Sequence, residues 1–491
     1  MTKRQTKFIS LFAGIGIALF FYLVNPFVLN EKASIVLSIA SLMITWWVTE
    51  ALPMPVVALF PLILFPLLGI EELKTVAVSY GDPIIFLFMG GFMLGLAIEK
   101  WNLHRRIALG IVKITGTSGN RIILGFILAT GFISMWISNT ATTMMMFPIA
   151  LSVIHVMKNN IDSKVNFKHF SLALMLSIAY ASNFGGIATK IGTPPNSYFA
   201  GYYANNYSNI GFMDWITLCM PIAIILLIAL YIVLTKLLFR NHIRSGDAAR
   251  NFINEEYKSL GPLSVAEKRV MIIFITTASL WILTDPINRL QDYVKLSDTI
   301  IALLCAAALF ICPSGSGKQA ENLNGTDENE LQGSLLEWSD TKKMAWGILL
   351  LFGGGLALAA GLEKQGLIKQ LGEWLSDFAG GSFILLLMVT IMSVFISEVM
   401  SNIAQVTVFA PVVCSLAAAV GMNPLQLGIA MTLASSCASM MPMGTPPNAI
   451  AFASGQIKIK QMMQAGFVMN IVSIILITLF CWFLLPLLIR T

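Results

Sequence analysis

Two polar interruptions govern what this chain can become. Ser138-Asn139-Thr140 lies inside an apolar run and is followed by Gly192-Thr193-Pro194-Pro195-Asn196. Ser401-Asn402-Ile403 repeats the pattern downstream, followed by Gly444-Thr445-Pro446-Pro447-Asn448. Each motif sets hydroxyls, an amide and helix-breaking residues where a lipid-embedded helix would run unbroken. Hydrocarbon cannot satisfy a free N–H or C=O, so such backbone survives at that depth only when buried in protein or lining a cavity. The duplicated motifs predict two facing copies that build one substrate and ion site.

Composition supplies the lipid setting. The 491 residues are 57% hydrophobic and 11% charged, with mean hydropathy +0.79, whereas a soluble domain carries about 25% charge. Many runs reach the roughly 20 apolar residues that a spanning helix needs. The expected fold is an all-α polytopic membrane protein, an inverted repeat with two re-entrant hairpins and two broken transmembrane helices. The first apolar run, 8–29, is too long for the core of a leader peptide and has no small-residue cleavage site after it. It reads as a retained helix with a cytoplasmic N-terminus. The net charge of +6 is what Lys and Arg gathered in short inner loops would give. No basic, aromatic-interleaved patch suggests nucleic acid. Cys219, Cys305, Cys312, Cys414, Cys437 and Cys481 form no CxxC pair and read as small core residues. Ser314-Gly315-Ser316-Gly317-Lys318 is no phosphate loop, because Cys312 and Gln319 stand where Gly and Ser/Thr are required.

The halves repeat. Phe88-Met89-Gly90-Gly91 before Glu99-Lys100 returns as Phe352-Gly353-Gly354-Gly355 before Glu363-Lys364, offset by 264 residues; the Ser-Asn motifs are offset by 263 and the Gly-Thr-Pro-Pro-Asn motifs by 252. The apolar stretch before Glu99-Lys100 is short for a span and interrupted by glycines. It predicts a re-entrant hairpin, the alternative being a glycine-bearing helix at a close crossing. The expected division is scaffold over 1–80, a first transport repeat over 81–212, scaffold and inner loops over 213–340, and a second transport repeat over 341–491.

Interrupted helices at corresponding positions of a repeat point to a transporter's midplane site. A half-helix N-terminus offers free N–H groups and a positive dipole end to an anion; a half-helix C-terminus offers free carbonyls to a bare cation. An enzyme is not expected. His104, His155, His169 and His242 lie in polar loops or near span ends, no HExxH or GxSxG occurs, and Asp82 and Glu398 are isolated. A channel would have less use for paired breaks.

Together with Trp46-Trp47-Val48-Thr49-Glu50-Ala51-Leu52-Pro53, the paired motifs resemble the divalent anion:sodium symporters, the sodium-coupled dicarboxylate, citrate and sulfate carriers, over nearly the whole chain. The resemblance implies a multi-pass homodimer in the lipid bilayer of the cell membrane, the bacterial inner membrane. Its elevator-type transport domains would move against a scaffold and carry Na+ with a small divalent anion, by default a C4-dicarboxylate such as succinate. A sulfate or citrate carrier and a Na+-independent dicarboxylate exchanger are the alternatives.

Carried over position by position, one sodium site would use Ser134, Ser138, Asn139 and Gly192. The other would use Ser397, Met400, Asn402 and Gly444. The substrate would meet Ser138, Asn139, Thr140, Thr193, Pro194, Ser401, Asn402, Thr445 and Pro446. Sodium is the only metal implied. Ile403 departs from the pattern by replacing a hydroxyl, and Met400 by its bulk. Lys190 departs by placing an ammonium at the site, and pairing with Glu398 or a hairpin-tip position near water is one expectation for it. Substrate binding and replacement of a coupling cation are the others.

Overall fold

The computed structural model describes residues 3–489 apart from 117, 159–163, 244–246, 292, 316–332 and 377–380. Most of the polar linker expected over 313–340, including Ser316-Gly317-Lys318, and the centre of the 158–169 loop therefore lie outside the described residues. The described elements are helices, with no strand. Among them nine are long and apolar enough to cross a membrane.

The Trp46-Trp47 motif is a clamp. Trp46 sits against Gly14, where any Cβ would collide with its ring, and its Nε1 donates to the Leu11 carbonyl at 3.2 Å. Trp47 Nε1 donates to the Met54 carbonyl at 3.3 Å. The pair fastens helix Lys3–Leu23 to Glu31–Val48 and both to the next turn. Glu50 follows in an exposed turn at φ +49°.

The glycine-bearing segments correct one expectation. Pro83–Lys100 and Trp346–Lys364 are continuous helices, not hairpins. A Cβ on Gly90 would lie 2.8 Å from the Ala302 backbone, and one on Gly354 would strike the Ala58 backbone. These glycines permit close helix crossings, as small residues do between membrane helices.

The hairpins lie instead at the Ser-Asn motifs. Gly119–Ser134 and Lys164–Gly186 both start beside residues 240–243: Gly119 N donates to the Ile243 carbonyl at 3.1 Å and His169 Nδ1 lies 2.8 Å from the Arg240 carbonyl. Their far ends meet where Gly185 packs on the Gly131 backbone, so the two run parallel. Asn139–Lys158 starts beside that junction, with Thr143 Oγ1 donating to Ser182 Oγ at 3.0 Å, and returns to Lys164. Gly119–Ser134 and Asn139–Lys158 are thus antiparallel arms with Ser138-Asn139 at their tip. At about 24 Å for 16 residues, the first arm is shorter than the hydrocarbon core.

The second repeat has the same build. Ser393 Oγ donates to the Met431 carbonyl and Ser397 Oγ to that of Ser435, both 38 residues ahead, so Ser382–Ser397 runs parallel to Pro424–Ser435. Asn402–Ala419 returns to the start of the latter, where Cys414 Sγ meets the Pro424 carbonyl at 3.8 Å. The half-helix Pro194–Asn206 continues away from the first hairpin's base and packs Phe199 against Gly428 and Cys414 near the second hairpin's base. The hairpins therefore enter from opposite ends.

Candidate functional site

Eight helix ends meet where the hairpin tips face the two breaks. Gly119–Ser134, Lys164–Gly186, Ser382–Ser397 and Pro424–Ser435 terminate there, and Asn139–Lys158, Pro194–Asn206, Asn402–Ala419 and Pro446–Ala453 begin there. Four ends offer carbonyls and four the positive end of a dipole. Pro at each Gly-Thr-Pro-Pro start fits, since the missing N–H is one a helix would leave unpaired anyway.

In the first half-site the Asn139 carboxamide Oδ1 stands among oxygens: Ser134 Oγ at 2.6 Å, the Ser182 carbonyl at 3.0 Å and the Gly192 carbonyl at 3.3 Å. The carboxamide has two ways to meet these oxygens: with its nitrogen toward them it donates to all three, and with its oxygen toward them it can share a cation with them. Gly186 and Gly192 make room, since a Cβ on either would fall on Asn139 Oδ1 or the Gly186 carbonyl. Asn196 Nδ2 gathers the carbonyls of Gly186, Ile187 and Thr189 at 3.1, 3.3 and 2.8 Å. Thr189 Oγ1 donates to the Met135 carbonyl at 2.5 Å and accepts from Gly192 N at 3.0 Å. The loop between the half-helices is thereby tied to the hairpin tip.

The second half-site repeats these contacts with one substitution. Ser397 Oγ lies 2.6 Å from Asn402 Oδ1. Asn448 Nδ2 gathers the carbonyls of Ala438 and Met441 at 3.0 and 3.2 Å. Glu398, at the position of Met135, does the tying: its carboxylate accepts from the amides of Ser439, Met440 and Met441 at 2.8, 2.9 and 2.8 Å and from Asn470 Nδ2 at 2.6 Å.

The expected residues fall as follows. Ser138, Asn139 and Thr140 are half-buried at one tip, and Ser401 and Asn402 at the other. Gly192, Thr193, Gly444 and Thr445 are buried at the breaks, Pro194 half-buried and Pro446 exposed. Met400 and Ile403 are buried among apolar side chains. Lys190 corrects an expectation. It does not pair with Glu398; its Nζ meets Asp298 Oδ2 at 2.8 Å, at the start of helix Asp298–Ile311. A cavity of about 420 Å³ opens beside that pair, bordered also by Asp82, Asn205 and Asp285. Beside this cavity Lys190 is matched by Asp298, and Asp82 by Asn205 and the Ile84 amide.

Ser182, Asn183, Ser435 and Ser436 escaped the sequence reading. The signal was present: a polar pair at the end of an apolar run, repeated at an offset of 253 residues.

The family model described as the sodium:sulfate symporter transmembrane region matches residues 5–489. The chain belongs to this family. Its relatives in the family include sodium-dependent dicarboxylate transporters SdcS. The one from Staphylococcus saprophyticus is 38% identical over 94% of this chain and 88% of its own length, and one from Staphylococcus aureus is 39% identical over the same shares. Among solved structures, the Alcanivorax borkumensis YdaH transporter, described as having an unusual topology, aligns with TM-score 0.54 and 14% identity over 84% of this chain and 89% of its own. That likeness concerns the fold alone. As a member of the symporter family this multi-pass membrane protein is a transporter, not an enzyme.

Proposed function

We propose that this symporter couples Na+ entry to uptake of a divalent anion, most simply a C4-dicarboxylate such as succinate, by elevator-type alternating access. The observation that carries the reading is the convergence of four helix C-termini and four N-termini on the Ser-Asn tips. Carbonyls and neutral side-chain oxygens suit a dehydrated Na+; helix N-termini with Ser and Thr hydroxyls suit carboxylates without burying an arginine. The names of the Staphylococcus relatives point to the same ion and substrate class.

One Na+ is assigned to Ser134, Ser138, Asn139 and Gly192, the other to Ser397, Met400, Asn402 and Gly444. The anion is assigned to Ser138, Asn139, Thr140, Thr193, Pro194, Ser401, Asn402, Thr445 and Pro446. Lys190, neutralised by Asp298, is left out of the charge balance of the cargo. Close packing of Pro83–Lys100 on Asp298–Ile311, and of Trp346–Lys364 on residues near Ala58, favours a moving unit that begins after these two helices, at about residues 103 and 367 rather than 81 and 341. The scaffold would pair two copies into a dimer, with the N-terminus cytoplasmic.

A dianion entering against about −100 mV costs roughly 4.6 kcal/mol, and two Na+ cancel that charge. A tenfold Na+ gradient then supports roughly 100-fold accumulation. In proteoliposomes, inward Na+ should drive succinate uptake, and Asn139→Ala and Asn402→Ala should each abolish it. Equal uptake with choline in place of Na+ and no internal substrate would refute the coupling. Competition by citrate and sulfate ranks the anions.

A further inference from the structure

Asn183 joins the two half-sites. It is 1% exposed, at the end of helix Lys164–Gly186. Its Oδ1 lies 3.5 Å from Asn139 Nδ2 in the first repeat, and its Nδ2 donates to Thr445 Oγ1 at 3.1 Å in the second. Thr445 Oγ1 also accepts from Asn448 N at 3.3 Å, as the cap of its half-helix. At the equivalent position of the second repeat stands Ser436, whose buried hydroxyl has no partner among the described residues. The link runs one way only, from the first tip to the second break.

A chain of carboxamides has a direction. With a cation among Ser134 Oγ, the Ser182 and Gly192 carbonyls and Asn139 Oδ1, the Asn139 nitrogen faces Asn183 Oδ1. The Asn183 nitrogen then faces Thr445. A hydroxyl has two acceptor positions and one proton. Thr445 Oγ1 fills its acceptor positions from Asn183 and Asn448, so its proton is free for the anion. Without the cation, the Asn139 nitrogen gains by turning to the three oxygens, all within 3.3 Å. Its oxygen then faces Asn183, the Asn183 carboxamide turns as well, and Asn183 Oδ1 takes the Thr445 proton. A lone pair, rather than a proton, then meets an incoming carboxylate. Both arrangements occupy nearly the same space, because carboxamide oxygen and nitrogen are nearly isosteric.

We infer that Asn183 is a positioning residue that relays cation occupancy at Asn139 to the hydroxyl of Thr445, so that Thr445 donates to the anion only when the cation is bound. This rests on the sodium-coupled reading above, and it supplies a route for the coupling. Because coupling free energy is reciprocal, the anion must tighten the cation through the same chain.

The test is equilibrium binding of succinate to the purified full-length protein in Na+ and in choline, with Asn183→Leu and Asn183→Ala beside wild type. The expected result is a Na+-to-choline affinity ratio that falls by about tenfold or more in both variants, within the usual range of coupling. Na+ alone should still raise their unfolding temperature as in wild type, a readout that a damaged fold would lose. Variants that keep the wild-type ratio overturn the relay and leave sodium coupling standing. Loss of stabilisation by Na+ alone in a variant whose unfolding temperature without Na+ matches wild type also overturns it, since Asn183 would then belong to the cation site itself. A wild type that binds succinate equally in choline overturns both readings.

Discussion

The two loops between the half-helices have the same fold and are held by opposite means. Around 187–193 the ties are neutral, namely the Thr189 hydroxyl and the Asn196 carboxamide, and the charge of Lys190 reaches outward to Asp298. Around 436–445 a buried carboxylate, Glu398, gathers four donors inside one repeat. Lys190 ties its loop to the helix Asp298–Ile311, and Glu398 ties its loop to its own hairpin tip and to Asn470. A duplicated sequence can therefore keep a symmetric geometry while changing which part of the molecule each half is fastened to.

The largest expected effect breaks the internal tie. Glu398→Ala would leave the Met440 and Met441 amides and the Asn470 carboxamide nitrogen without their acceptor, while the Ser439 amide keeps Asn470 Oδ1 at 3.1 Å. At about 1–3 kcal/mol for each of the three unsatisfied groups, the loss should be about 3–9 kcal/mol, read as a large fall in unfolding temperature. Met135→Leu, at the matching position, should cost under about 1.5 kcal/mol. Equal losses would show that the loops are held alike.

Next comes the external tie. Asp298→Asn strands the Lys190 ammonium, 2% exposed, and should cost about 3 kcal/mol, with Lys190→Met/Asp298→Leu recovering most of it. Sodium-driven uptake should survive in the double variant. Its loss would give Lys190 a charge role in transport.

Smaller effects probe the remaining asymmetries. Ile403→Thr removes buried apolar surface in exchange for a hydroxyl and should cost about 1 kcal/mol. A gain in succinate affinity above about threefold would show that the missing hydroxyl faces the anion. Ser436→Ala should change stability by no more than about 0.5 kcal/mol and leave the sodium-to-choline affinity ratio unchanged, because its hydroxyl has no partner to lose among the described residues. A marked fall in that ratio would mean that the relay has a second arm.

Much of this was legible in the chain. Periodic apolar runs with few charges can only be membrane helices, and a Ser-Asn break at a fixed offset can only be a repeated interruption. The hairpins were assigned to the wrong segment because glycine serves two purposes. Gly90-Gly91 looks like a break, but its missing Cβ admits Ala302, and only the neighbouring helix reveals that. Asn183 was passed over for a related reason: one polar residue at a span end is ordinary until its partners are known.

The sequence by itself determined the medium, the all-helical class, the duplication and the polar residues at its breaks, because each follows from local pattern and the solvation of the backbone. Tertiary structure decided which interruption became a hairpin tip, that Lys190 meets Asp298 rather than Glu398, and that one carboxamide spans the two half-sites. Those outcomes depend on groups more than 100 residues apart along the chain, 108 for Lys190 and Asp298 and 262 for Asn183 and Thr445. Local pattern carries no information about which distant side chain will supply a buried charge or amide with its partner.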